Sequence, residues 1–412
     1  MSLALVLLFA VSCRTVGPQA LEDESVRLEL SREVIATLDN QQHYFVDPSR
    51  KQKFEQRLEA IARETSDAAG YYRGLQDALA MLEEGHTGLV GTNDISFSDT
   101  IPPIAVMELP QGLVVAGVAP GNENGGLRPG DLILEIEGRP AMNILQERIA
   151  QTAGSTDHGR RARAVAHVLA GPTDRPAQVL VMDSAGRERE CYPVRFLLDD
   201  KGRYRQRFGF LPEQIRAQRA DAAHGYIALP DFEPGRDEEF VDALEPLRAM
   251  PVLILDLRGN PGGRIQTLQR IAGIFFEEPR DLLRMRLGGR EDVVRCETGR
   301  FTYRGTIRVL VDERTGSAAE LLAAALQDER GAQIVGRSTA GSTRSRRTAR
   351  LPGGVLFHYA GRAEFLRIDG SAVEGVGVRP DVVFRPTRGQ LAEGHFGDAP
   401  DDPAVRRAIA LN

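Results

Sequence analysis

The fold is decided by residues 252–263, VLILDLRGNPGG, where a continuous apolar run passes directly into a loop with three glycines. A run without polar alternation is typical of a strand buried on both faces of a parallel sheet. Glycine has no Cβ, so this loop can bring backbone N–H groups close to a ligand. The segment predicts a buried strand that opens onto a ligand site, although an ordinary Gly-rich turn between a strand and a helix fits the same residues.

A second strand ends in a comparable way. Residues 307–311 predict a buried strand and residues 318–328 predict a helix. Ser317 stands at the turn between them, a position that exposes the nucleophilic hydroxyl of some hydrolases. The N–H of Ala318 lies at the helix N-terminus, where backbone donors have no intrahelical partner. The alternative is a simple helix cap, with Ser317 and Glu320 forming a capping box.

The surrounding chain predicts several domains. Residues 203–388 alternate strands with helices and predict an α/β domain with right-handed crossovers. Residues 21–92 place apolar side chains at spacings of three and four and predict a helical domain. Residues 100–197 predict a β-rich insert, because GLRPGDLILEIEG at 126–138 resembles the core signature of PDZ domains. Residues 389–412 are predicted to form a polar tail with a short helix.

Composition narrows the possible functions. The chain has 412 residues, a length that predicts two or three domains. Its net charge is -6 and its pI is about 5.8, which argues against nucleic-acid binding because such domains usually carry a basic excess. Lysine occurs only at Lys51, Lys53 and Lys201. The histidines show no metal-like clustering, so no metal is expected.

The N-terminus predicts export. Residues 3–11, LALVLLFAV, are too short to span a bilayer and fit the apolar part of a signal peptide over residues 1–20. The run ends in AVSC at 10–13, which resembles a lipobox and makes Cys13 a candidate lipidation site and membrane anchor. The expected location is the bacterial periplasm or cell envelope. A plain signal peptide or a buried N-terminus remains the alternative.

Four motifs follow one another along the chain: LDLRGNPGG at 255–263, TGSAAE at 315–320, VGRSTAG at 335–341 and the segment 369–381. Together they resemble one family, the C-terminal-processing and tricorn serine peptidases. The resemblance implies an α/β fold with a ClpP/crotonase-like sheet, a peptide or protein substrate and no cofactor. It also implies that Ser317 is the nucleophile, and that Gly262 or Gly263 joins Ala318 in the oxyanion hole.

The general base is expected to be a histidine. One branch of the family uses a lysine 25 residues after the serine, but that position is Ser342 and no lysine follows Lys201. The tricorn-like branch uses a histidine and a glutamate. The segment EGHTG at 84–88 resembles its histidine motif, so His86 is the implied base and Glu374 the implied acidic partner. A helix-terminal histidine that contacts the last carbonyls is the alternative for His86.

A different class of function also fits the same fold. A non-catalytic protein that binds a lipophilic ligand or a peptide would need neither the serine nor the histidine.

A basic stretch lies in a predicted hairpin and consists of Arg344, Arg346, Arg347 and Arg350. This stretch could favour acidic substrate segments, or it could be a solvated edge whose charges discourage aggregation.

Overall fold

The computed structural model describes residues 17–92, 100–118, 124–171, 175–196 and 214–411, which form two compact units. The first unit comprises residues 17–92, 150–154 and 344–363, and the second comprises the other described residues. Within these described ranges, no helix is both long and apolar enough to cross a bilayer. Cys13, with residues 1–16 of the predicted signal peptide, lies outside the described residues.

The described ranges contain ten α-helices, five 3₁₀ helices and eighteen strands. The α-helices are α1 Glu24–Asp39, α2 Pro48–Glu64, α3 Ala68–Leu79, α4 Ala141–Ala150, α5 Asp157–Ala166, α6 Arg236–Leu244, α7 Ile265–Ala272, α8 Ala318–Arg330, α9 Arg388–Ala392 and α10 Pro403–Ile409. The 3₁₀ helices are Pro18–Glu22, Ala80–Leu82, Glu245–Leu247, Gly273–Phe275 and Pro352–Gly354. The strands are β1 Gly88–Val90, β2 Ile104–Leu109, β3 Gly112–Val118, β4 Leu132–Ile136, β5 Arg139–Pro140, β6 Val179–Met182, β7 Glu188–Cys191, β8 Arg216–Arg219, β9 His224–Ala228, β10 Val252–Asp256, β11 Arg280–Leu287, β12 Arg290–Cys296, β13 Thr306–Val311, β14 Gln333–Gly336, β15 Arg346–Arg350, β16 Leu356–Ala360, β17 Glu364–Arg367 and β18 Val382–Val383.

The first unit is built on the three helices α1, α2 and α3. Asp23, Asp47 and Asp67 are their N-caps, and each accepts a hydrogen bond from a backbone N–H of the first turn. Such caps satisfy donors that lack an intrahelical acceptor, so they define where each helix begins. The apolar faces of the helices share one core, in which Phe54 and Tyr72 are both 0% exposed.

A hairpin distant in sequence completes this core. Strand β16 pairs with both β1 and β15 in an antiparallel sheet, and the buried side chains of Val355 and Phe357 pack with the helices. The hydroxyl of Tyr72 donates to the carbonyl of Pro352 at 2.8 Å. Arg346 and Arg347 lie on the exposed strand β15. The basic stretch therefore belongs to the first unit, although chain order places it among the α/β strands.

The second unit is organised around a six-stranded sheet in the order β18-β14-β13-β10-β9-β8. All neighbouring strands from β18 to β9 run parallel, and β8 is an antiparallel edge strand. The central strands β10 and β13 are buried, with Leu255 and Leu310 both 0% exposed, as expected for a parallel sheet covered on both faces. The predicted α/β fold with N-terminal helices is confirmed. A small antiparallel sheet, β12-β11-β17, was not predicted.

The described parts of residues 100–149 and 155–196 fold within the second unit as the β-rich insert. Strands β2, β3, β4, β6 and β7 form an antiparallel sheet, and β5 pairs with β4. Helices α4 and α5 contribute Leu145 and Ala164 to its core, together with Leu113 and Val179 from the strands. The insert thus combines a small antiparallel sheet with two helices around one core.

The C-terminal segment packs against the α/β sheet of the second unit. Asp402 caps α10, is 0% exposed, and pairs with Arg258 at 3.0 Å. Arg258 also pairs with Asp256 at 2.6 Å. Arg308 of β13 donates to the carbonyl of Ala408 at 2.6 Å. These contacts connect the last helix directly to the two central strands and to the Gly-rich loop.

Candidate active site

The Gly-rich loop and the serine turn meet because they follow neighbouring parallel strands. Asp256 of β10 is in register with Leu310 of β13, so both strands end at the same edge of the sheet. The hydroxyl of Thr315 donates to the carbonyl of Leu257 at 2.8 Å, and the N–H of Gly316 donates to the carbonyl of Asn260 at 2.8 Å. These bonds tie the two loops together, and this edge is where α/β sheets usually bind ligands.

Ser317 has an unusual backbone conformation. Its φ is 53° and its ψ is -124°, so a non-glycine residue occupies the positive-φ region. Such conformations cost about 1–3 kcal/mol and persist only when surrounding contacts enforce them. The N–H of Ser317 donates to the carbonyl of Ser342 and to Oε2 of Glu320, both at 2.9 Å. The strained backbone at Ser317 is therefore held by its hydrogen bonds to Ser342 and Glu320.

The two loop glycines have different surroundings. A Cβ placed on Gly262 would lie 2.6 Å from Cβ of Ser317 and 2.7 Å from N of Ala318, so only glycine fits against the serine turn. The N–H of Gly262 donates to Oδ1 of Asn260 at 2.8 Å. Gly263 is exposed, although a Cβ added there would lie 2.5 Å from the carbonyl carbon of Phe232. Sequence reasoning leaves both glycines open as oxyanion donors, and the engaged N–H of Gly262 favours Gly263.

Glu320 lies in the first turn of α8 and is 0% exposed. Its carboxylate accepts hydrogen bonds from Ser317, Thr339, Gly341 and Ser342. Burial raises the pKa of Glu320 from 4.5 to about 7, although these hydrogen bonds oppose the shift. Sequence reasoning considered this residue only as half of a capping box. The signal that it missed is the loop 339–342, which supplies three of the four donors.

Glu374 lies in the same unit as Ser317. Its Oε2 accepts hydrogen bonds from N of Thr343 at 2.5 Å and from Oγ1 of Thr343 at 3.3 Å. Thr343 follows Ser342, whose carbonyl accepts the Ser317 N–H. Glu374 is therefore hydrogen-bonded to the residue that follows Ser342, and Ser342 itself contacts Ser317.

His86 belongs to the first unit, so its pairing with Ser317 or Glu374 remains a prediction. Within that unit the backbone N–H of His86 donates to Oε1 of Glu84 at 3.0 Å, and its Nδ1 lies 3.8 Å from the same oxygen. Glu84 is buried, and its Oε2 lies 3.8 Å from Nε2 of His43 and 3.9 Å from Nε of Arg344. Burial, with Arg344 adding to it, lowers the pKa of His43 to about 4.

Comparison with known proteins agrees with these motifs. Residues 223–384 match the model of peptidase family S41. This segment contains Ser317, Ala318, both loop glycines and Glu374, and it does not contain His86. These residues form a domain of peptidase family S41, whose relatives include serine proteases, and the family predicted from the four motifs is confirmed.

Two curated relatives match part of the chain. Carboxy-terminal processing protease CtpA of Bacillus subtilis (strain 168) is 28% identical over 173 residues, which cover 41% of this chain and 37% of that protein. Probable CtpA-like serine protease of Staphylococcus aureus (strain N315) is 29% identical over 168 residues, which cover 39% of this chain and 33% of that protein. The chain thus spans about a third of the length of these relatives.

Two solved structures share the fold over most of the chain. Mature CPAF complexed with lactacystin has a TM-score of 0.68 at 16% identity, and the match covers 95% of this chain and 98% of that one. The photosystem II D1 C-terminal processing protease has a TM-score of 0.52 at 19% identity, with 93% and 98% covered. At these identities the likeness establishes the fold.

The strain at Ser317 can be measured. We expect Ser317→Gly to be more stable than Ser317→Ala by about 1 kcal/mol, because glycine adopts positive φ without a steric penalty. The free energy of unfolding in urea measures the difference. Ser338 lies outside the positive-φ region, so the same two substitutions there should rank in the opposite order. A Ser317→Gly variant no more stable than Ser317→Ala contradicts a strained turn.

Proposed function

We propose that this chain is a serine endopeptidase in which Ser317 is the nucleophile, His86 is the general base, and an acyl-enzyme is the intermediate. The observation that carries the proposal is the backbone of Ser317, at φ 53° and ψ -124°. A residue that merely caps a helix ordinarily has extended backbone angles and needs no strain. Strained backbone at the end of a strand and the start of a helix is instead the geometry of a nucleophile elbow.

The first step is attack by the serine hydroxyl. His86 removes the proton from Oγ of Ser317 as Oγ forms a bond to the carbonyl carbon of the peptide, and the carbonyl oxygen becomes an oxyanion. Imidazole suits this step because its ordinary pKa lies near neutrality. The imidazolium then protonates the leaving amine as the C–N bond breaks. Water, deprotonated by the same imidazole, then attacks the acyl carbon, and the imidazolium returns the proton to Oγ of Ser317 as the acyl C–O bond breaks.

The oxyanion is stabilised by backbone donors of the two neighbouring loops. Ala318 lies at the first position of α8, where N–H groups precede the intrahelical ladder and the helix dipole favours negative charge. We assign the second donor to Gly263, since the N–H of Gly262 already donates to Asn260. Gly262 contributes by lacking a side chain, which leaves room beside Ser317. Fixed donors of this kind are typically worth about 3–4 kcal/mol of transition-state stabilisation.

The choice of His86 is supported by the absence of a lysine where the other branch of the family has its base. No lysine follows Lys201, and the position used by the lysine branch of the family is Ser342. We propose that Glu374 orients His86 and stabilises its charged form. The anchoring of this carboxylate by Thr343, next to the loop residue that accepts the Ser317 N–H, supports that role.

The proposed substrate is a peptide or protein, as the names of the C-terminal processing relatives suggest for those proteins. We also propose that the chain is exported and attached to a membrane through Cys13, on the basis of the N-terminal sequence.

The catalytic proposal is tested by labelling the full chain with a fluorophosphonate probe and by peptide cleavage. The wild-type protein should be labelled on Ser317, and Ser317→Ala should lose labelling and at least about a thousandfold of peptidase activity. His86→Ala should slow labelling strongly while the hydroxyl stays in place. The matched control is His395→Ala, a histidine whose side chain is 40% exposed and pairs only loosely, at 3.9 Å, with Asp398. A wild-type protein without Ser317 labelling, or full turnover by Ser317→Ala, points to a non-catalytic binding protein.

The close approach of Gly262 generates a second prediction. Gly262→Ala should reduce activity by about a hundredfold or more, because the new Cβ would overlap Ser317 and Ala318. Gly370→Ala is the matched control, since its φ of 89° resembles the 93° of Gly262 but no atom lies within 4 Å of an added Cβ. Equal activity of the two variants contradicts the proposed contact between the loop and the nucleophile.

Membrane attachment has its own test. In a bacterial host, the full chain should partition into the detergent phase of a phase-separated membrane extract, and Cys13→Ser should move it to the aqueous phase. Cys296→Ser, at a buried cysteine of the second unit, controls for the loss of any thiol. Detergent partitioning that survives Cys13→Ser excludes lipidation at this residue.

A further inference from the structure

The carboxylate of Glu320 is surrounded by hydrogen-bond donors. Oε1 accepts from Oγ1 of Thr339 at 2.5 Å and from N of Gly341 at 2.6 Å. Oε2 accepts from N of Ser317 and from N of Ser342, both at 2.9 Å. The side chain is 0% exposed, so water takes no part in satisfying it.

A helix cap explains only one of these four bonds. A glutamate at the third helical position caps by accepting from the N-cap N–H, which is the bond from Ser317. The other three donors belong to Thr339, Gly341 and Ser342, which lie 19 to 22 residues further along the chain. Glu320 therefore joins the nucleophile turn to the loop 339–342.

The same loop is held from its other side by the β-rich insert. Oγ1 of Thr156, the N-cap of α5, donates to the carbonyl of Ala340 at 2.8 Å. Nε2 of His158 lies 2.7 Å from the carbonyl of Thr339 and donates to it, since a carbonyl can only accept. The loop thus directs two N–H groups and one hydroxyl toward Glu320. The carbonyls of Thr339 and Ala340 face α5 and its N-cap, which leaves the loop little freedom to relax independently of the carboxylate.

We propose that Glu320 is a positioning residue for the peptidase reaction, whose ionised carboxylate holds the Ser317 backbone and the loop 339–342 in the strained arrangement that presents the nucleophile. This inference rests on the proposed function of Ser317. It assigns Glu320 no contact with the substrate, because its four contacts are with the backbone and side chains that support the serine.

The donors around Glu320 favour the ionised form. Three of the four partners are backbone N–H groups, which can only donate, so a carboxylate can accept from all four partners, whereas a protonated carboxyl can direct its own O–H only toward Oγ1 of Thr339. Because Glu320 has a pKa of about 7, it changes charge in the range where an imidazole also titrates. Ser317 and Thr339 face it as neutral hydroxyl residues, His158 contacts the Thr339 carbonyl, and Glu374 is held by Thr343 beyond the loop.

The test compares Glu320→Gln with the wild-type protein across pH. The measurement is the rate of fluorophosphonate labelling of Ser317 in the full chain between about pH 5.5 and about pH 8.5. An amide of the same size accepts on one oxygen only and turns its NH2 toward donors. At low pH the wild-type carboxyl is also neutral, so the two rates should differ only a few-fold. At high pH the ratio should grow to about a hundredfold, the usual consequence of a small misplacement of a reacting group.

Two controls separate positioning from general damage. Glu329→Gln makes the same change on the same helix, where the side chain pairs with Arg280 at 3.5 Å, and its rate should follow the wild-type rate at every pH. His158→Gln should preserve the dependence on Glu320, which shows that this histidine is not the titrating group. A ratio of wild-type to Glu320→Gln that stays constant with pH overturns the inference, because a merely structural role has no reason to titrate.

A second variant decides the question if Glu320→Gln does not fold. Thr339→Val removes one of the four donors and keeps the carboxylate, so it should move the pH at which labelling rises to a higher value. An unchanged pH profile in Thr339→Val contradicts the inference. Failure of the wild-type protein to label at Ser317 is a separate outcome, which removes the proposed function itself.

Discussion

The site depends on a single backbone constraint, the positive φ of Ser317. A non-glycine residue keeps this backbone conformation only if its neighbours prevent it from relaxing. The neighbours here come from three parts of the chain: the Gly-rich loop after β10, the first turn of α8, and the loop 339–342. The parallel sheet is what brings them together, since β10 and β13 are adjacent and end in register.

The carboxylate behind the nucleophile opposes folding as well as supporting the site. Burial raises the pKa of Glu320 from 4.5 to about 7 in the folded protein. The neutral carboxyl therefore stabilises the folded state fully below pH 4.5, and this stabilisation is lost as the pH rises through about 7. At neutral and alkaline pH the ionised group therefore costs roughly 3 kcal/mol relative to the unfolded chain. Buried ionisable groups that lower the free energy of unfolding in this way are common at functional sites, where chemistry needs a fixed geometry.

Much of this architecture could be predicted from short-range patterns. The apolar runs before 257 and 312 predict buried strands, and residues 318–328 predict the helix that the structure places at Ala318–Arg330. The partner of a distant segment could not be predicted in this way. The turn at Pro352–Gly354 indicates a hairpin, but no local signal shows that Val355 and Phe357 pack with the N-terminal helices. Likewise, the residues next to Glu320 indicate only a helix cap. The other donors to its carboxylate lie in the loop 339–342, which is remote in sequence.

The docking of α10 has a consequence for any change at the far end of the gene. Asp402 and the carbonyl of Ala408 satisfy Arg258 and Arg308, two cations that belong to the Gly-rich loop and to β13. A premature stop codon ahead of Asp402 would remove these acceptors from both guanidinium groups, of which Arg258 lies in the loop beside the serine turn and would keep only Asp256. Truncation there should therefore disturb the site around Ser317, which lies more than eighty residues earlier in the sequence. A nonsense allele that removes only the residues from Asp402 onward can thus behave as a null allele.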